Sequence, residues 1–199
     1  AQFVQMLWNL AGKPKASAAA VFTDVPADAW CASAVRQATE RGLTGGTGDG
    51  CFTPDAPVSR AAFVVMLSRL HRSTDGSAVI DGAAAFRDVP ADAWYAPAAR
   101  WAADRQIVLG SGGSFRPSAG ITREALAALL YRYAASVGCD VSARADLSGF
   151  ADGDRVSPYA RDAVRWAAAA GILNGRSDGT LAPQGTATRA QTAKMLVAY

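Results

Sequence analysis

A chain of 199 residues, half of them hydrophobic and with a net charge of +3, suits one compact domain or a few small repeats with a real core. Only 19% of the residues are charged, which argues against disorder, and no apolar run reaches the ~18–20 residues that span a bilayer, so no membrane insertion is expected. The Lys and Arg residues are scattered rather than massed, which argues against a nucleic-acid partner, and 45 alanines favour closely packed helices.

The chain opens on Ala1 rather than methionine and shows no signal-peptide pattern. Ala1-Gln-Phe3 to Met6-Leu7-Trp8 and Leu10 align with Ala61-Ala-Phe63 to Met66-Leu67 and Leu70. The segment therefore reads as an inner helix cut from a preceding repeat, joined by a linker at Gly12 to Ala19. From there the sequence repeats at a period of roughly 64 residues.

Each unit starts with an opening turn: Phe22-Thr-Asp24-Val-Pro-Ala-Asp28-Ala-Trp30, then Phe86-Arg-Asp88-Val-Pro-Ala-Asp92-Ala-Trp94. A looser third copy runs Phe150-Ala-Asp152 and reaches Tyr159 one residue late. Asp28 and Asp92 are expected as helix caps. An alanine-rich outer helix follows at Ala34–Ala38, Ala98–Ala102 and Ala163–Ala167. Trp101 and Trp166, set among those alanines, are expected in the core.

A glycine loop comes next, opening at Gly46, Gly110 and Gly175 and closing at Pro54, Pro117 and Pro183. The inner helices begin at Ser59-Arg60, Thr122-Arg123 and Thr188-Arg189, with Ser or Thr as N-cap. Thr188 and Gln191 fit a capping box. Helical spacing places Phe63, Met66, Leu67 and Leu70, then Leu126, Leu129, Leu130 and Tyr133, then Ala193, Leu196 and Val197 on the core face. One unit of ~50 residues cannot bury its apolar face alone, whereas three stacked units can. The expected boundaries are 1–19 for the helix fragment and linker, then 20–83, 84–147 and 148–199 for the three repeats.

The ordered set Phe-x-Asp-Val…Trp, alanine-rich helix, Gly…Asp-Gly-x-Phe-x-Pro and Thr-Arg-Ala-x resembles the S-layer homology domain, in three tandem copies from Val21 to Tyr199. The resemblance implies an all-α, pseudo-threefold, three-lobed assembly with a central bundle of inner helices and grooves between lobes. Here an extra N-terminal helix is added, which either caps one lobe or docks on another copy of the chain. It implies noncatalytic anchoring of surface proteins to a bacterial cell-wall glycan, often a secondary polymer ending in pyruvylated N-acetylmannosamine. The protein would then sit outside the cell, in the wall or S-layer.

Carried to this chain, the groove residues are Arg60, Arg123 and Arg189; Asp24, Asp88 and Asp152; Trp30, Trp94 and Tyr159; and the loop glycines Gly46, Gly110 and Gly175. The family's Thr-Arg-Ala-Glu acid is replaced by Ala62, Ala125 and Gln191, the third opening turn has an insertion and no Trp, and the second glycine loop is short. These departures bear on whether the three grooves are occupied equally. A lattice or protein-interaction module, or the wall-targeting part of a surface enzyme, are the alternative readings.

The arginines make an argument independent of the resemblance. A cation at a helix N-terminus opposes the helix dipole, yet Arg recurs there in all three copies. Free helix N–H groups with a guanidinium would suit a carboxylate or phosphate, while an internal ion pair with an opening-turn Asp is the structural reading. Trp30 and Trp94 suit either sugar stacking or packing, and the three Asp either ligand contact or turn fixing.

Cys31 and Cys51 occur only in the first copy, one at the outer-helix start and one in the glycine loop. They are expected to form a disulfide closing about 20 residues, worth roughly 3 kcal/mol and fitting an extracellular setting, with Cys139 unpaired. One histidine, His71, and no Cys-x-x-Cys supply no zinc set. His71 reads as a surface residue, no nucleophile motif appears, and neither metal nor cofactor is expected.

Overall fold

The structure is a computed structural model that describes residues 22–75 and 86–199. The helix predicted at Ala1 to Leu10 and most of the linker after the first repeat lie outside the described residues. Among the described residues the fold is all-α: six α-helices, two single 3₁₀ turns and isolated bridges in place of strands. The outer helices are α1 (Ala32–Glu40), α3 (Ala96–Asp104) and α5 (Arg161–Ala169), and the inner helices are α2 (Arg60–Asp75), α4 (Arg123–Ser136) and α6 (Arg189–Ala198).

Local sequence explains both ends of these helices. Ser59 Oγ, Thr122 Oγ1 and Thr188 Oγ1 accept the N–H of Ala62, Ala125 and Gln191 at 3.1, 3.2 and 3.3 Å, and Gln191 completes the capping box on Thr188. The outer helices end alike. Leu43, Ile107 and Ile172 donate N–H back to Ala38, Ala102 and Ala167 carbonyls at 2.8, 2.8 and 2.9 Å. The residue before each is left-handed, Gly42, Gln106 and Gly171, as a helix C-terminus of this type requires.

The expected caps Asp28 and Asp92 are not caps. The N-cap residues are Cys31 and Tyr95, neither making a side-chain cap bond, because these helices begin one turn later and Asp28 and Asp92 remain in the exposed turn.

Each outer helix packs on the inner helix of the preceding repeat: α3 on α2, α5 on α4, and α1 on α6. The last pairing joins the first repeat to the last. A backbone ring makes the same closure. Val58 donates N–H to the Ala187 carbonyl at 3.0 Å, Ala187 to Ile121 at 2.9 Å, and Ile121 to Val58 at 2.9 Å. The three residues directly precede the three helix caps, so the inner helices all start from one point.

The core lies between paired helices. Phe63, Leu67, Leu70, Leu126, Leu130, Tyr133 and Leu196 are at most 1% exposed, and Trp101 and Trp166 are buried as expected. Alanine makes the close approach possible: Ala38, Ala102 and Ala167, one per outer helix, are fully buried. His71 corrects the expectation of a surface residue. It is buried in the last turns of α2, 5.2 Å from the Trp101 ring centroid and 5.9 Å from that of Tyr133. The helix runs on to Asp75, so His71 is a bundle position rather than a tail.

Candidate functional site

The opening-turn aspartates are clamps on the glycine loops. Asp24 accepts the N–H groups of Phe52 and Thr53, both at 2.7 Å. Asp88 accepts those of Phe115 and Arg116, also at 2.7 Å. Asp152 accepts those of Leu181 and Ala182 at 2.7 and 2.8 Å. Paired bonds to a charged acceptor are the strong kind, and they hold a strained backbone. Thr53, Arg116 and Ala182 have φ of 52°, 59° and 47°, a region that L side chains disfavour and β-branched ones most of all. The Phe52 and Phe115 N–H groups hold the Asp24 and Asp88 carboxyls below their usual range.

The three arginines grip the same loop residues from the preceding repeat. Arg60 Nε donates to the Phe115 carbonyl at 2.8 Å, Arg123 Nε to Leu181 at 2.7 Å, and Arg189 Nε to Phe52 at 2.7 Å. Arg123 Nη2 and Arg189 Nη2 reach further, to Asn174 and Gly45 carbonyls at 2.8 and 2.6 Å. The Arg189 guanidinium also lies 4.5 Å from the Phe52 ring centroid. One loop residue is thus held at its N–H by its own Asp and at its C=O by a neighbour's Arg.

This geometry gives the arginines a role that neither reading anticipated, as donors to loop carbonyls. No Arg–Asp ion pair joins them among the described residues. The helix N–H groups expected to be free for an anion are occupied. Arg60, Arg123 and Arg189 donate N–H to the carbonyls of Ala119, Gly185 and Ala56, each at 2.9 Å. Ala61, Glu124 and Ala190 donate to those of Pro117, Pro183 and Pro54, each at 3.0 Å. With the Ser and Thr caps, every first-turn donor has a partner, because the next glycine loop lies across each helix start.

Gly46, Gly110 and Gly175 are explained by packing. A Cβ on each would lie 2.9, 2.7 and 2.6 Å from Cε1 of Phe22, Phe86 and Phe150 respectively.

The expected Cys31–Cys51 disulfide is not formed. Both thiols are free, as is Cys139. Cys31 is buried under α1, while Cys51 Sγ faces Thr23 Oγ1 at 3.6 Å and the Asp49 carbonyl at 3.7 Å.

The aromatics behave differently. Trp30, Trp94 and Tyr159 are 61%, 68% and 58% exposed, the only exposed aromatics among the described residues. Each stands at the start of an outer helix, and Trp30 and Tyr159 meet the preceding repeat's inner helix there. The Lys194 ammonium of α6 lies 5.7 Å from the Trp30 ring centroid. Trp94 meets Tyr95 edge-on at 5.4 Å. The Tyr159 hydroxyl donates to Glu124 Oε1 of α4 at 3.3 Å.

Lys194, Glu124 and Ser157 are groups that the sequence reading did not single out. Two had a signal: Lys194 is the sole lysine after Lys15, and Glu124 stands where the other inner helices have Ala61 and Ala190.

The sequence profile of the S-layer homology domain matches residues 21–64, 85–127 and 149–193. The chain is 31% identical to an amylopullulanase of Thermoanaerobacterium thermosulfurigenes, over 88% of this chain and 9% of that protein. It is 30% identical to exoglucanase XynX of Acetivibrio thermocellus, over 94% of this chain and 17% of the relative. It is also 30% identical to the surface-layer 125 kDa protein of Lysinibacillus sphaericus, over 81% of this chain and 13% of the relative. The chain therefore spans less than a fifth of each of these relatives.

Proposed function

The chain belongs to the S-layer homology domain family, whose members anchor surface proteins to the bacterial cell wall, and from that premise we propose that it is a noncatalytic wall-binding module for an anionic secondary cell-wall polysaccharide. The ligand, ending in a pyruvylated sugar, binds in grooves along the seams between repeats. The three repeats form a pseudo-threefold, three-lobed assembly, a reading supported by the closed ring at Val58, Ile121 and Ala187 and by the cyclic helix pairing. The relatives include enzymes many times longer than this chain, so the module serves as the wall-targeting part of a larger surface protein.

The observation that carries this reading is the exposed aromatic at each seam. A Trp left more than half exposed at the same place in two repeats, with Tyr in the third, is not there to fill a core. An indole offers an apolar face to sugar C–H groups and an N–H to a hydroxyl. The Lys194 ammonium beside Trp30 adds the cation an acidic sugar requires. The arginines contribute by setting the grooves' walls, and Arg60, whose guanidinium lies over the Phe115 ring and which among the described residues hydrogen-bonds through Nε, offers its terminal nitrogens to a ligand.

Sedimentation with purified wall fragments tests the proposal. The chain is expected to pellet with fragments that retain the secondary polymer, and to stay in solution when the polymer has been stripped. Equal pelleting with bare peptidoglycan would overturn it.

A further inference from the structure

The seam at Tyr159 differs from the other two by one carboxylate. Glu124 is only 4% exposed. Its Oε1 accepts from Ser157 Oγ at 2.7 Å and from the Tyr159 hydroxyl at 3.3 Å, and its Oε2 accepts the Ser157 N–H at 3.0 Å. All three donors come from the opening turn of the third repeat, across the seam from α4. A buried carboxylate is tolerated only with such partners. A backbone N–H, a serine hydroxyl and a phenol converging on one carboxylate form a donor set suited to the acidic group of a ligand.

Resting on the wall-binding reading above, we propose that Glu124 is a built-in occupant of the third seam, so that acidic glycan ends bind at the Trp30 and Trp94 seams and are excluded at Tyr159. The donors there are already engaged, and a second carboxylate would meet a like charge in a partly desolvated site. At the other two seams the inner helix presents Ala61 and Ala190 in place of Glu124. The Trp30 seam carries a cation instead, Lys194. Replacement of Trp by Tyr at position 159 fits the same picture, since the phenol supplies a donor to Glu124 that an indole at another reach would not.

The probe is the synthetic methyl glycoside of 4,6-pyruvylated N-acetylmannosamine, titrated into the whole chain by calorimetry and followed by NMR of the indole and phenol rings. Two equivalents are expected, with the Trp30 and Trp94 signals shifted and the Tyr159 ring unmoved. Glu124→Ala, which places at this seam the residue found at the other two, is expected to raise the uptake to three. Three equivalents in the parent, or a Tyr159 signal that moves with the indoles, would overturn the inference while leaving wall binding intact. So would a folded Glu124→Ala chain that still takes up two. If Glu124→Ala loses its helical signal, the parent's stoichiometry and ring shifts decide alone. No uptake by the parent at any seam would overturn wall binding itself, and the inference with it.

Discussion

The centre of the molecule and its seams differ in how far the three repeats agree. At the centre the three repeats share one plan: an Asp holds two N–H groups of a loop, a neighbour's Arg holds the carbonyl between them, and Val58, Ile121 and Ala187 close the ring. At the seams the same three positions carry Trp30 with Lys194, Trp94 with Tyr95, and Tyr159 with Glu124. The contrast teaches that closure of the ring requires each copy to fit two neighbours at once, so a change in one copy is felt by both others. A seam involves one pair of repeats, and each pair has its own chemistry.

If that division is right, the largest losses of stability come from the centre. Arg123 is 5% exposed and donates to two carbonyls. Arg123→Ala leaves both without a donor and should cost about 3 kcal/mol, since a bond to a charged group is worth ~1.5–3 kcal/mol. That is a fall in melting temperature of roughly 6–12 °C for a chain of this size. Arg60→Ala, losing the single Nε bond, should cost about half as much. Equal effects of the two in thermal denaturation would break the link between bond count and stability.

Asp152→Ala removes two bonds from a carboxylate that is 9% exposed and releases the left-handed Ala182. A cost of about 2 kcal/mol is expected by denaturant titration. The half-buried members of the set have a pH signature. The folded-state pKa values of Asp24 and Asp88 lie below their unfolded values, chiefly through the Phe52 and Phe115 N–H groups. Their contribution is therefore complete above the unfolded value near ~4 and is lost as pH falls through the lower folded values. Asp24→Asn with Asp88→Asn should flatten that acid limb of the stability curve while leaving its slope above neutrality unchanged.

Much of this was legible in the sequence because it is local. Cap residues, the 3.6-residue spacing of Phe63, Met66, Leu67 and Leu70, and the recurring Phe-x-Asp…Trp turn each depend on neighbours within a few positions. Repetition located the aromatics Trp30, Trp94 and Tyr159 but left open whether they pack or face solvent. What stayed hidden depends on reach across the chain. Arg189 meets Phe52 over 137 positions, and nothing local says that an arginine after an N-cap will bond a carbonyl in another repeat. The helix N-termini looked open because the loops that cover them belong to the next copy. His71 was misplaced for a related reason: the period shows which face of a helix is apolar, but Trp101 and Tyr133, which bury it, come from two other elements. The cysteine pair also depends on reach across the chain: Cys31 is buried and Cys51 faces Thr23 and Asp49, which no local pattern reveals.

Changes at the exposed residues of the seams should leave stability alone and move binding. Trp30→Ala deletes an exposed ring, so the melting temperature should hold to within a degree or two, while affinity for polymer-bearing wall fragments falls about tenfold, ~1.4 kcal/mol. Lys194→Ala should cost less, about threefold, as an exposed cation does, and its effect should shrink with added salt. A Trp30→Ala chain that melts many degrees lower would move Trp30 from the seam class to the core class.

The smallest effect tests why the two regions tolerate unusual backbone differently. Thr53, Arg116 and Ala182 are left-handed without being glycine, and each is pinned by an aspartate. Gln106 is also left-handed, at φ 57°, where the other outer helices end on Gly42 and Gly171. No aspartate pins it and its side chain is exposed. The strain there is uncompensated, so Gln106→Gly should stabilise the chain by about 0.5–1 kcal/mol after the entropy of glycine is set against the relief of the left-handed penalty. The same change at Ala182 should give less, because the Asp152 bonds already hold that conformation and the following Pro183 restricts the alternatives. Thermal melts of the two variants side by side would settle the order, and a larger gain at Ala182 than at Gln106 would mean that the clamp carries strain rather than absorbing it.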